Sequence, residues 1–373
     1  MKGDAMPRHL VLVGAGHAHL TTLVNLERFI TRGHRVSVVG PSPYHYYSGM
    51  GPGMLGGRYL PEQIRFPVKK MAAARGAYFV QAGVSRIDPG ARTLVLDTGD
   101  TIGYDIVSCN TGSGIPEDFL NASLENTYPV KPIEQLLKAR NRLLELTKNG
   151  SPQILVIGGG PAGVEITGNL WRLVNNDNGA ASLTMVAGTK LLTRFPEKAR
   201  KYARDSLLSR NITVIEKAHV RRLDQGAALL DNGTTIHWDI CFLAVGIRPS
   251  TLFKRSGIAT DTDGGMLVNA SLQSVSHPEI FGGGDCIGLR GNPVDKVGVY
   301  AVRQNPILFH NLLAALEGEP LKRFQPQDAY LLLFNLGNGR AIFCRKNMVW
   351  EGRSMFALKN FIDTRFMKKF LDQ

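Results

Sequence analysis

Two glycine-rich turns, each between a short apolar strand and a helix, constrain the fold of this chain more than any other feature. They follow the predicted strands at residues 9–13 and 153–157. Their glycines are Gly14 and Gly16 in the first turn, and Gly158, Gly160 and Gly163 in the second. Backbone N–H groups at the start of such a helix bind a pyrophosphate, and the helix dipole favours its charge. The sequence therefore predicts an α/β protein with two Rossmann-like dinucleotide-binding domains, one for FAD and one for a visiting nicotinamide nucleotide.

Both units depart from the usual dinucleotide pattern. His19 stands at the third position of the first turn, where glycine or alanine is common. Neither unit has the acidic residue that commonly ends the second strand and binds the ribose; Ser42 is a weaker candidate in the first unit. In the second unit Lys190 and Arg194 follow that strand. The missing carboxylate permits NADPH there without excluding NADH.

The formal net charge of +13 predicts an anionic partner, which could be nucleic acid, an acidic membrane surface or a phosphorylated cofactor. A solvated basic surface is the alternative. The basic residues are dispersed and no recognition motif occurs, which argues against nucleic acid.

The cysteines and the N-terminus indicate the compartment. Four cysteines (Cys109, Cys241, Cys286 and Cys344) lie far apart and show neither C-x-x-C nor zinc spacing. We therefore expect a reducing compartment and no metal site. The first predicted strand begins within ten residues of Met1, which leaves no room for a signal peptide. No apolar run reaches the length of about 18 residues that a transmembrane helix needs, so we expect a cytoplasmic protein.

Further segments carry side chains suited to a flat, charged cofactor. An aromatic loop at residues 43–53 includes Tyr47 and Ser48 and is a candidate for lining a flat ring, with a packed structural loop as the alternative. A later strand ends in Gly-Asp and places Asp285 where it can bind a ribityl hydroxyl. The helix predicted over residues 297–315 can stabilise negative charge on a reduced ring with its N-terminus.

The C-terminal segment has a different character. Residues 330–334 and 340–344 are predicted to pair as a hairpin, and residues 354–370 have a helical period. The predicted apolar stripe of that helix is Met355, Leu358, Ile362 and Phe366. Its cationic flanks are typical of an interfacial helix on anionic lipid, so we expect peripheral contact with the inner face of the cell membrane. Docking on its own domain or on a second subunit, as in a homodimer, is the alternative.

Together these motifs resemble the pyridine nucleotide-disulfide oxidoreductase superfamily, in the branch of type II NADH dehydrogenases and sulfide:quinone reductases. The chain is most similar to the oxidoreductase domain fused to some bacterial selenide, water dikinases. The similarity lies in its Gly-His-Ala-His start, Pro-Tyr-x-Tyr-Tyr-Ser-Gly-Met loop, Tyr-Ala-Val-Arg-Gln helix and Ile-Asp-x-Arg-Phe-Met tail. The resemblance implies a glutathione-reductase-like two-domain flavoprotein. Its FAD domain would be discontinuous, at residues 1–115 and 250–325, with an NAD(P)-binding domain at 116–249 and a small membrane- or partner-facing region at 326–373.

The resemblance also implies site residues. Those expected to bind FAD are Gly14, Gly16, His17 and Ala18 at the pyrophosphate, Ser42, Tyr47 and Ser48 in the following loops, Val84 at the adenine, Asn110, Thr111 and Gly112 along the cofactor, Asp285 at the ribityl chain, and Val299 and Tyr300 at the flavin. Gly158, Gly160 and Gly163 would hold the nicotinamide nucleotide. Glu165 would lie near nicotinamide and flavin as a catalytic residue that tunes the ring or relays a proton. A helix-dipole or salt-bridge role is the alternative for Glu165.

The functional hypotheses follow from where the chain departs from its relatives. No cysteine precedes Cys109, so the redox Cys-x4-Cys of disulfide reductases is missing. Gly298-Val299 replaces the Ala-Gln pair that type II NADH dehydrogenases place at the quinone site. The leading hypothesis is an FAD-dependent enzyme that passes electrons from NAD(P)H to a quinone or similar acceptor. The alternatives are sulfide:quinone-type oxidation with a reactive Cys344, which is otherwise a small buried side chain, and a flavin-bearing redox sensor or partner module.

Overall fold

The computed structural model describes residues 6–116, 124–177 and 179–371. Its strands are β1 (His9–Val13), β2 (Arg35–Gly40), β3 (His45–Tyr46), β4 (Arg65–Phe66), β5 (Tyr78–Gln81), β6 (Val84–Asp88), β7 (Thr93–Leu96), β8 (Thr101–Gly103), β9 (Ile106–Cys109), β10 (Thr127–Pro129), β11 (Gln153–Ile157), β12 (Ser182–Val186), β13 (Thr213–Ile215), β14 (Val220–Asp224), β15 (Ala227–Leu230), β16 (Thr235–His237), β17 (Ile240–Leu243), β18 (Met266–Val268), β19 (Ile280–Gly282), β20 (Ile287–Leu289), β21 (Leu332–Asn335), β22 (Ala341–Arg345) and β23 (Met348–Gly352). Its α-helices are α1 (Leu20–Val24), α2 (Glu27–Ile30), α3 (Gly51–Leu55), α4 (Val68–Ala73), α5 (Glu134–Asn149), α6 (Pro161–Asn176), α7 (Glu197–Leu208), α8 (Leu252–Arg255), α9 (Gly298–Glu317) and α10 (Arg353–Leu371).

Two parallel five-stranded sheets have the same strand arrangement. Their orders are β19-β9-β1-β2-β5 and β10-β17-β11-β12-β13. In each half a three-stranded antiparallel sheet, β6-β7-β8 or β14-β15-β16, is inserted before the strand that returns to the parallel sheet. The central strands β1 and β9 are buried along their whole length, as expected for parallel strands covered on both faces. The two Rossmann-like units predicted from the glycine turns are therefore present.

The first sheet is built from two separate parts of the chain. Strand β19 comes after the whole second unit, yet it pairs with β9 at the edge of the first sheet. This return brings the Gly-Asp segment that ends in Asp285 to the carboxyl ends of β1 and β9. A continuous hydrophobic core joins both sheets to the C-terminal region, and includes the fully buried Leu12, Val156 and Ile342.

The C-terminal region is a three-stranded antiparallel sheet, β21-β22-β23, with α10 packed against it. The predicted hairpin and helix are both present, but the buried face of α10 is not the predicted apolar stripe. The residues that α10 buries are Lys359, Asp363, Met367 and Phe370, whereas Phe361 and Ile362 are exposed. A lysine and a carboxylate can be buried here because they bond to each other, and the helix thereby turns aromatic and aliphatic side chains outward. Within the described ranges, no helix is long and apolar enough to cross a membrane.

Candidate functional site

The carboxyl ends of β1, β2 and β9 open onto a cavity of about 380 Å³. The residues expected to bind FAD that line this cavity are Gly14, Gly16, His17, Ser42, Ser48, Val84, Asn110, Thr111, Gly112 and Asp285. Ala18, Tyr47, Val299 and Tyr300 are not among its lining residues in the described part of the chain. Ligands of open α/β sheets bind at this edge, so the fold places the cavity where a dinucleotide is expected.

Asn110 explains why the first turn needs its two glycines. Gly14 has a φ of +80°, and a Cβ there would lie 2.4 Å from the Asn110 carbonyl oxygen. A Cβ on Gly16 would lie 2.3 Å from Asn110 Oδ1. That side chain has no freedom to move away, because Oδ1 accepts a bond from Ala18 N at 3.0 Å and Nδ2 donates to Gly283 O at 2.6 Å. Ala18 therefore holds the turn in place through its backbone.

His19 occupies the third position of the first turn, where a small residue usually allows the helix to pack closely on the strand. It stabilises the turn by hydrogen bonds instead. Its Nδ1 donates to Gly14 O at 2.7 Å, and its Nε2 accepts from Ser108 Oγ at 2.8 Å. Burial lowers the pKa of His19 to about 4, so the ring is neutral at physiological pH. The departure noted in the sequence is thus compatible with an intact turn.

His17 lies at the cavity wall with an unused polar atom. Its Nε2 is buried and has no partner among the described residues, and the same holds for His45 Nε2. The two rings meet edge to face at 5.0 Å, and burial lowers the pKa of His17 to about 4. An unpaired buried polar group costs roughly 1–3 kcal/mol, which a hydrogen bond to a ligand would remove. The orphaned nitrogen at this wall, together with the glycine cradle, fits a bound FAD.

Asp285 enters the cavity already held by two partners. Its Oδ2 lies 2.7 Å from Lys131 Nζ and accepts a bond from Ser113 Oγ at 2.9 Å. Burial alone would raise the pKa of Asp285, but the Lys131 ammonium and the Ser113 bond hold it below its ordinary value. Lys131 itself lines the cavity and follows β10 of the second unit. The sequence analysis missed Lys131, because a lone lysine in the sequence gave no sign that it would reach Asp285.

The start of α9 also faces the cavity. Gly298 and Ala301 line it, in place of the expected Val299 and Tyr300. The Tyr300 hydroxyl donates instead to Gln327 O at 3.2 Å. The positive end of the helix dipole is therefore directed at the cavity, where it would stabilise negative charge on a bound cofactor.

A second cluster of polar groups adjoins this cavity and connects α10 to the aromatic loop. Tyr47 donates to Asp363 Oδ1 at 2.9 Å, and Lys359 Nζ donates to Asp363 Oδ2 at 2.9 Å. Lys359 also donates to Gly49 O at 2.8 Å. The Tyr47 ring stacks on Phe366 at 4.7 Å and lies 5.3 Å from the His17 ring, which is itself 6.0 Å from Phe366. Tyr47 therefore belongs to this cluster, and the His17 ring that it contacts lines the cavity.

Glu165 lies beside the cluster near the start of α6. Its Oε1 accepts a bond from Asn335 N at 2.8 Å, which joins the second unit to β21. Burial raises the pKa of Glu165 to about 7, although the nearby Lys359 opposes the shift. Burial lowers the pKa of Lys359, but the attraction of Asp363 and Glu165 outweighs it, so that the net shift is upward. A carboxyl group that titrates near neutral pH beside a buried cation can exchange protons under physiological conditions.

The second glycine turn is open at its middle glycine, Gly160, whereas the first turn is closely packed at Gly16. Gly158 has a φ of +125°, and a Cβ there would lie 2.2 Å from Ala244 O. A Cβ on Gly163 would collide with Gly158 O, so this position serves close packing of helix on strand. Gly160 has no heavy atom within 4 Å of its would-be Cβ. The backbone at Gly160 is therefore free for the close approach of a pyrophosphate.

Cys344 is placed on β22 as a buried side chain. It is 6% exposed, and its Sγ lies 4.0 Å from Lys346 O. Burial raises the pKa of its thiol, which disfavours the nucleophilic thiolate. All four cysteines are free.

Comparisons with known proteins agree with this architecture. The chain is 25% identical to a type II NADH:quinone oxidoreductase of Staphylococcus aureus, over 98% of this chain and 96% of the relative. It superimposes with a TM-score of 0.80 on NDH2 of Plasmodium falciparum in complex with NADH, at 14% identity, covering 96% of each chain. With the sulfide:quinone oxidoreductase of Aquifex aeolicus the TM-score is 0.79 at 19% identity, covering 98% of this chain and 92% of that one.

The family itself follows from the sequence. Residues 8–307 match the pyridine nucleotide-disulphide oxidoreductase family, a span that contains both glycine turns, Glu165 and Asp285. The finer resemblance to the oxidoreductase domain fused to selenide, water dikinases stays a prediction. The chain belongs to the pyridine nucleotide-disulphide oxidoreductase family.

Proposed function

We propose that this chain is an FAD-dependent oxidoreductase that passes electrons from NAD(P)H to a quinone or a similar acceptor. The observation that carries the proposal is that His17, which lines the dinucleotide cavity, lies 5.3 Å from the ring of Tyr47, a member of the buried cluster of Tyr47, Lys359 and Asp363. Glu165 lies beside this cluster. FAD, when bound, takes up electrons from the nicotinamide nucleotide and passes them to the acceptor. The name of the Staphylococcus aureus relative, a type II NADH:quinone oxidoreductase, supports this direction of electron flow, and the Plasmodium falciparum NDH2 structure contains NADH.

The two sheets indicate which residues would form each domain. The FAD domain would comprise residues 1–115 and 250–325, which the pairing of β19 with β9 supports. The NAD(P)-binding domain would comprise residues 116–249 around the open second turn, leaving 326–373 as the acceptor-facing region. Asp285, oriented by Lys131, would accept a hydrogen bond from the ribityl chain. The start of α9 would stabilise negative charge on the reduced cofactor.

The cluster would supply the proton that reduction of a quinone requires. The Glu165 carboxyl has a pKa of about 7, so it carries a proton in part of the population at physiological pH. Lys359 fixes Asp363 as its counter-ion, and Asp363 in turn orients the Tyr47 hydroxyl. A chain of hydrogen-bonding groups next to the cavity can deliver a proton without exposing the cavity to bulk water.

A direct test is an anaerobic stopped-flow experiment on the purified flavoprotein. We expect NADH or NADPH to bleach the flavin absorbance rapidly, and a short-chain ubiquinone to restore it. Bleaching by sulfide alone would overturn the proposal and favour sulfur chemistry at Cys344. A flavin that none of these reductants bleaches would indicate a redox sensor or partner module. Protein that cannot be reconstituted with FAD would overturn the assignment of the cavity.

We further propose that α10 and the neighbouring hairpin contact the inner face of the cell membrane. Phe361 is 58% exposed and Trp350 is 48% exposed, and Lys368 and Lys369 lie on the exposed side of the same helix. Exposed aromatic side chains beside lysines are typical of binding to anionic lipid, where a quinone is available. A homodimer through this face is the alternative.

Vesicle sedimentation distinguishes these two partners. We expect the protein to bind phosphatidylcholine vesicles only when they contain phosphatidylglycerol, and Phe361→Glu to abolish binding. Leu208→Glu is the matched control, because Leu208 is 46% exposed at the end of α7, outside the proposed membrane face. Loss of binding in both variants, or in neither, contradicts the proposed membrane face. A change of oligomeric state in Phe361→Glu, with vesicle binding unchanged, would favour the homodimer.

A further inference from the structure

We propose that the loop after β12 and the segment after β13 together form a subsite for the 2′-phosphate of NADPH. This inference rests on the proposed function, because it assigns the nicotinamide nucleotide to the second glycine turn. The 2′-phosphate loop consists of residues 188–190, and the opposing segment consists of residues 217–219. The inference predicts that the chain takes NADPH at least as well as NADH.

The two segments are held together by their backbones. Ala218 N donates to Gly188 O at 3.3 Å, and Lys217 N donates to Thr189 O at 3.2 Å. This pairing is an antiparallel bridge that follows the carboxyl ends of the parallel strands β12 and β13. Side chains from both segments are thereby brought to one edge of the sheet.

The residues that flank this loop contact the glycine turn that would hold the pyrophosphate. Leu192 N donates to Gly159 O at 2.7 Å, and a Cβ on Gly159 would lie 2.5 Å from Ala187 O. In a dinucleotide-binding unit the ribose of the adenosine lies at the end of the second strand, next to the turn. A nucleotide bound at Gly160 would therefore place its ribose hydroxyls against residues 188–190.

The side chains at this edge are suited to bind a phosphate. Thr189, Lys190, Lys217 and His219 are all exposed. Thr189 Oγ1 lies 3.4 Å from His219 Nε2, so the hydroxyl and the ring face the same space. A phosphate would accept hydrogen bonds from the hydroxyl, from the two ammonium groups and from the His219 ring. A carboxylate at this point of the unit would instead bind the ribose hydroxyls and repel the phosphate.

The two neighbouring carboxylates already accept hydrogen bonds from protein groups. Glu216 accepts bonds from Leu191 N at 2.7 Å and from Arg204 at 2.9 Å. Asp231 accepts a bond from His219 N at 3.0 Å, and its other oxygen lies 3.3 Å from His219 Nδ1. That contact directs Nε2 of the ring toward Thr189. Arg194, which the sequence placed near the ribose, instead pairs with Asp295 at 2.8 Å and does not belong to the subsite.

The test uses two fragments of the nucleotides that need no electron transfer. Adenosine 2′,5′-bisphosphate and 5′-AMP are titrated into the FAD-loaded protein by calorimetry. We expect the bisphosphate to bind roughly 10-fold more tightly, since charge-assisted hydrogen bonds to its 2′-phosphate are added. Lys190→Ala and His219→Ala are expected to weaken the bisphosphate several-fold and to leave 5′-AMP unchanged. Lys198→Ala, an exposed lysine on α7, is the matched control and should change neither.

The outcomes separate this inference from the proposed function. Equal binding of the two fragments, or no binding of the bisphosphate, overturns the subsite. Tight bisphosphate binding that Lys190→Ala and His219→Ala leave intact also overturns it, because the phosphate then lies elsewhere. A flavin that NADPH cannot reduce, in protein that binds the bisphosphate as expected, leaves the subsite in place and contradicts the proposed oxidoreductase. Thr189→Asp, which restores a carboxylate, should abolish the preference for the bisphosphate.

Discussion

The two glycine turns share one backbone pattern and differ in what surrounds the middle glycine. Gly16 is closed in by the side chain of Asn110, whereas Gly160 has no heavy atom within 4 Å of its would-be Cβ. The first turn opens onto the cavity of about 380 Å³, and the second lies beside the exposed loop at residues 188–190. Distant parts of the chain make the difference, since Asn110 and Asp285 are brought to the first turn by β9 and β19. The same local motif can therefore hold a resident cofactor or receive a visiting one.

The titratable side chains around the two turns also differ, since those at the first turn are largely buried and those at the second are exposed. At the first turn burial keeps His17 and His19 neutral, and Asp285 is paired with Lys131. At the second turn Lys190, Lys217 and His219 are exposed, and His219 contacts the carboxylate of Asp231. A buried, neutralised site favours slow exchange of its ligand, and an exposed basic site favours fast capture of an anionic one.

Alanine substitutions at the two turns give the largest expected effect. Gly14→Ala places a Cβ against the Asn110 carbonyl at a φ of +80°, so either the turn or β9 must shift. We expect FAD affinity to fall at least about 100-fold and the protein to be purified largely without flavin. The Cβ of Gly160→Ala meets no heavy atom within 4 Å, so this variant should keep its FAD and lose roughly 10-fold in affinity for the nicotinamide nucleotide.

The measurement is the ratio of flavin to protein absorbance after purification, together with nucleotide titration. Circular dichroism and gel filtration show whether Gly14→Ala still folds. If Gly160→Ala also loses its FAD, or if folded Gly14→Ala retains it, the assignment of resident and visiting nucleotide to the two turns is wrong.

Glu165→Gln should have the next largest effect, on the acceptor half of the reaction. The carboxyl gains its proton as the pH falls through about 7 because burial raises its pKa. We expect flavin reoxidation by a quinone to slow at least roughly 10-fold and to lose its inflection near neutral pH. Flavin reduction by the nicotinamide nucleotide should change little. A pH profile of reoxidation that is unchanged in Glu165→Gln would contradict the proton-donor role.

The same substitution predicts a stability change of definite sign. The pKa of Glu165 is higher in the folded protein than the ordinary value of 4.5, so the carboxyl lowers the stability of the fold progressively as the pH rises from about 4.5 to about 7. The melting temperature of Glu165→Gln relative to the parent should therefore rise between about pH 5 and about pH 8. A relative melting temperature that falls over this interval would show that the carboxylate is stabilised in the fold.

Lys131→Met tests a long-range pair that completes the first turn. This substitution removes the cation that pairs with the nearly buried Asp285 carboxylate. We therefore expect FAD affinity to fall about 10-fold. Lys131→Arg should retain most of the affinity, since it keeps the charge. Lys138→Met, at an exposed position on α5, is the matched control. Equal flavin retention in Lys131→Met and Lys138→Met would mean that FAD binding does not depend on the pairing of Asp285 with Lys131.

Local patterns in the sequence predicted the two units, the main helices and most of the cavity wall. The predicted helices over 297–315 and 354–370 are α9 and α10, because periodicity and glycine turns are local properties. Lys131 was missed because its pairing with Asp285 depends on how two distant segments are folded together. The burial of Lys359 and Asp363 on α10 was not predicted, for a related reason. They stand four residues apart, and this spacing was the available signal that they could neutralise each other inside the protein.

Cys344→Ala should have the smallest effect and sharpens the contrast between flavin and thiol chemistry. The side chain is buried on β22, and burial raises the pKa of its thiol. If the only redox group between the two turns is the flavin, turnover with NAD(P)H and quinone should change less than about 2-fold. Removing a buried sulfur should lower stability by roughly 1 kcal/mol, so activity is compared at a temperature well below melting. If sulfide bleaches the flavin of the parent protein but not that of Cys344→Ala, Cys344 is a reacting group. Electrons would then enter at Cys344 and not at the second turn.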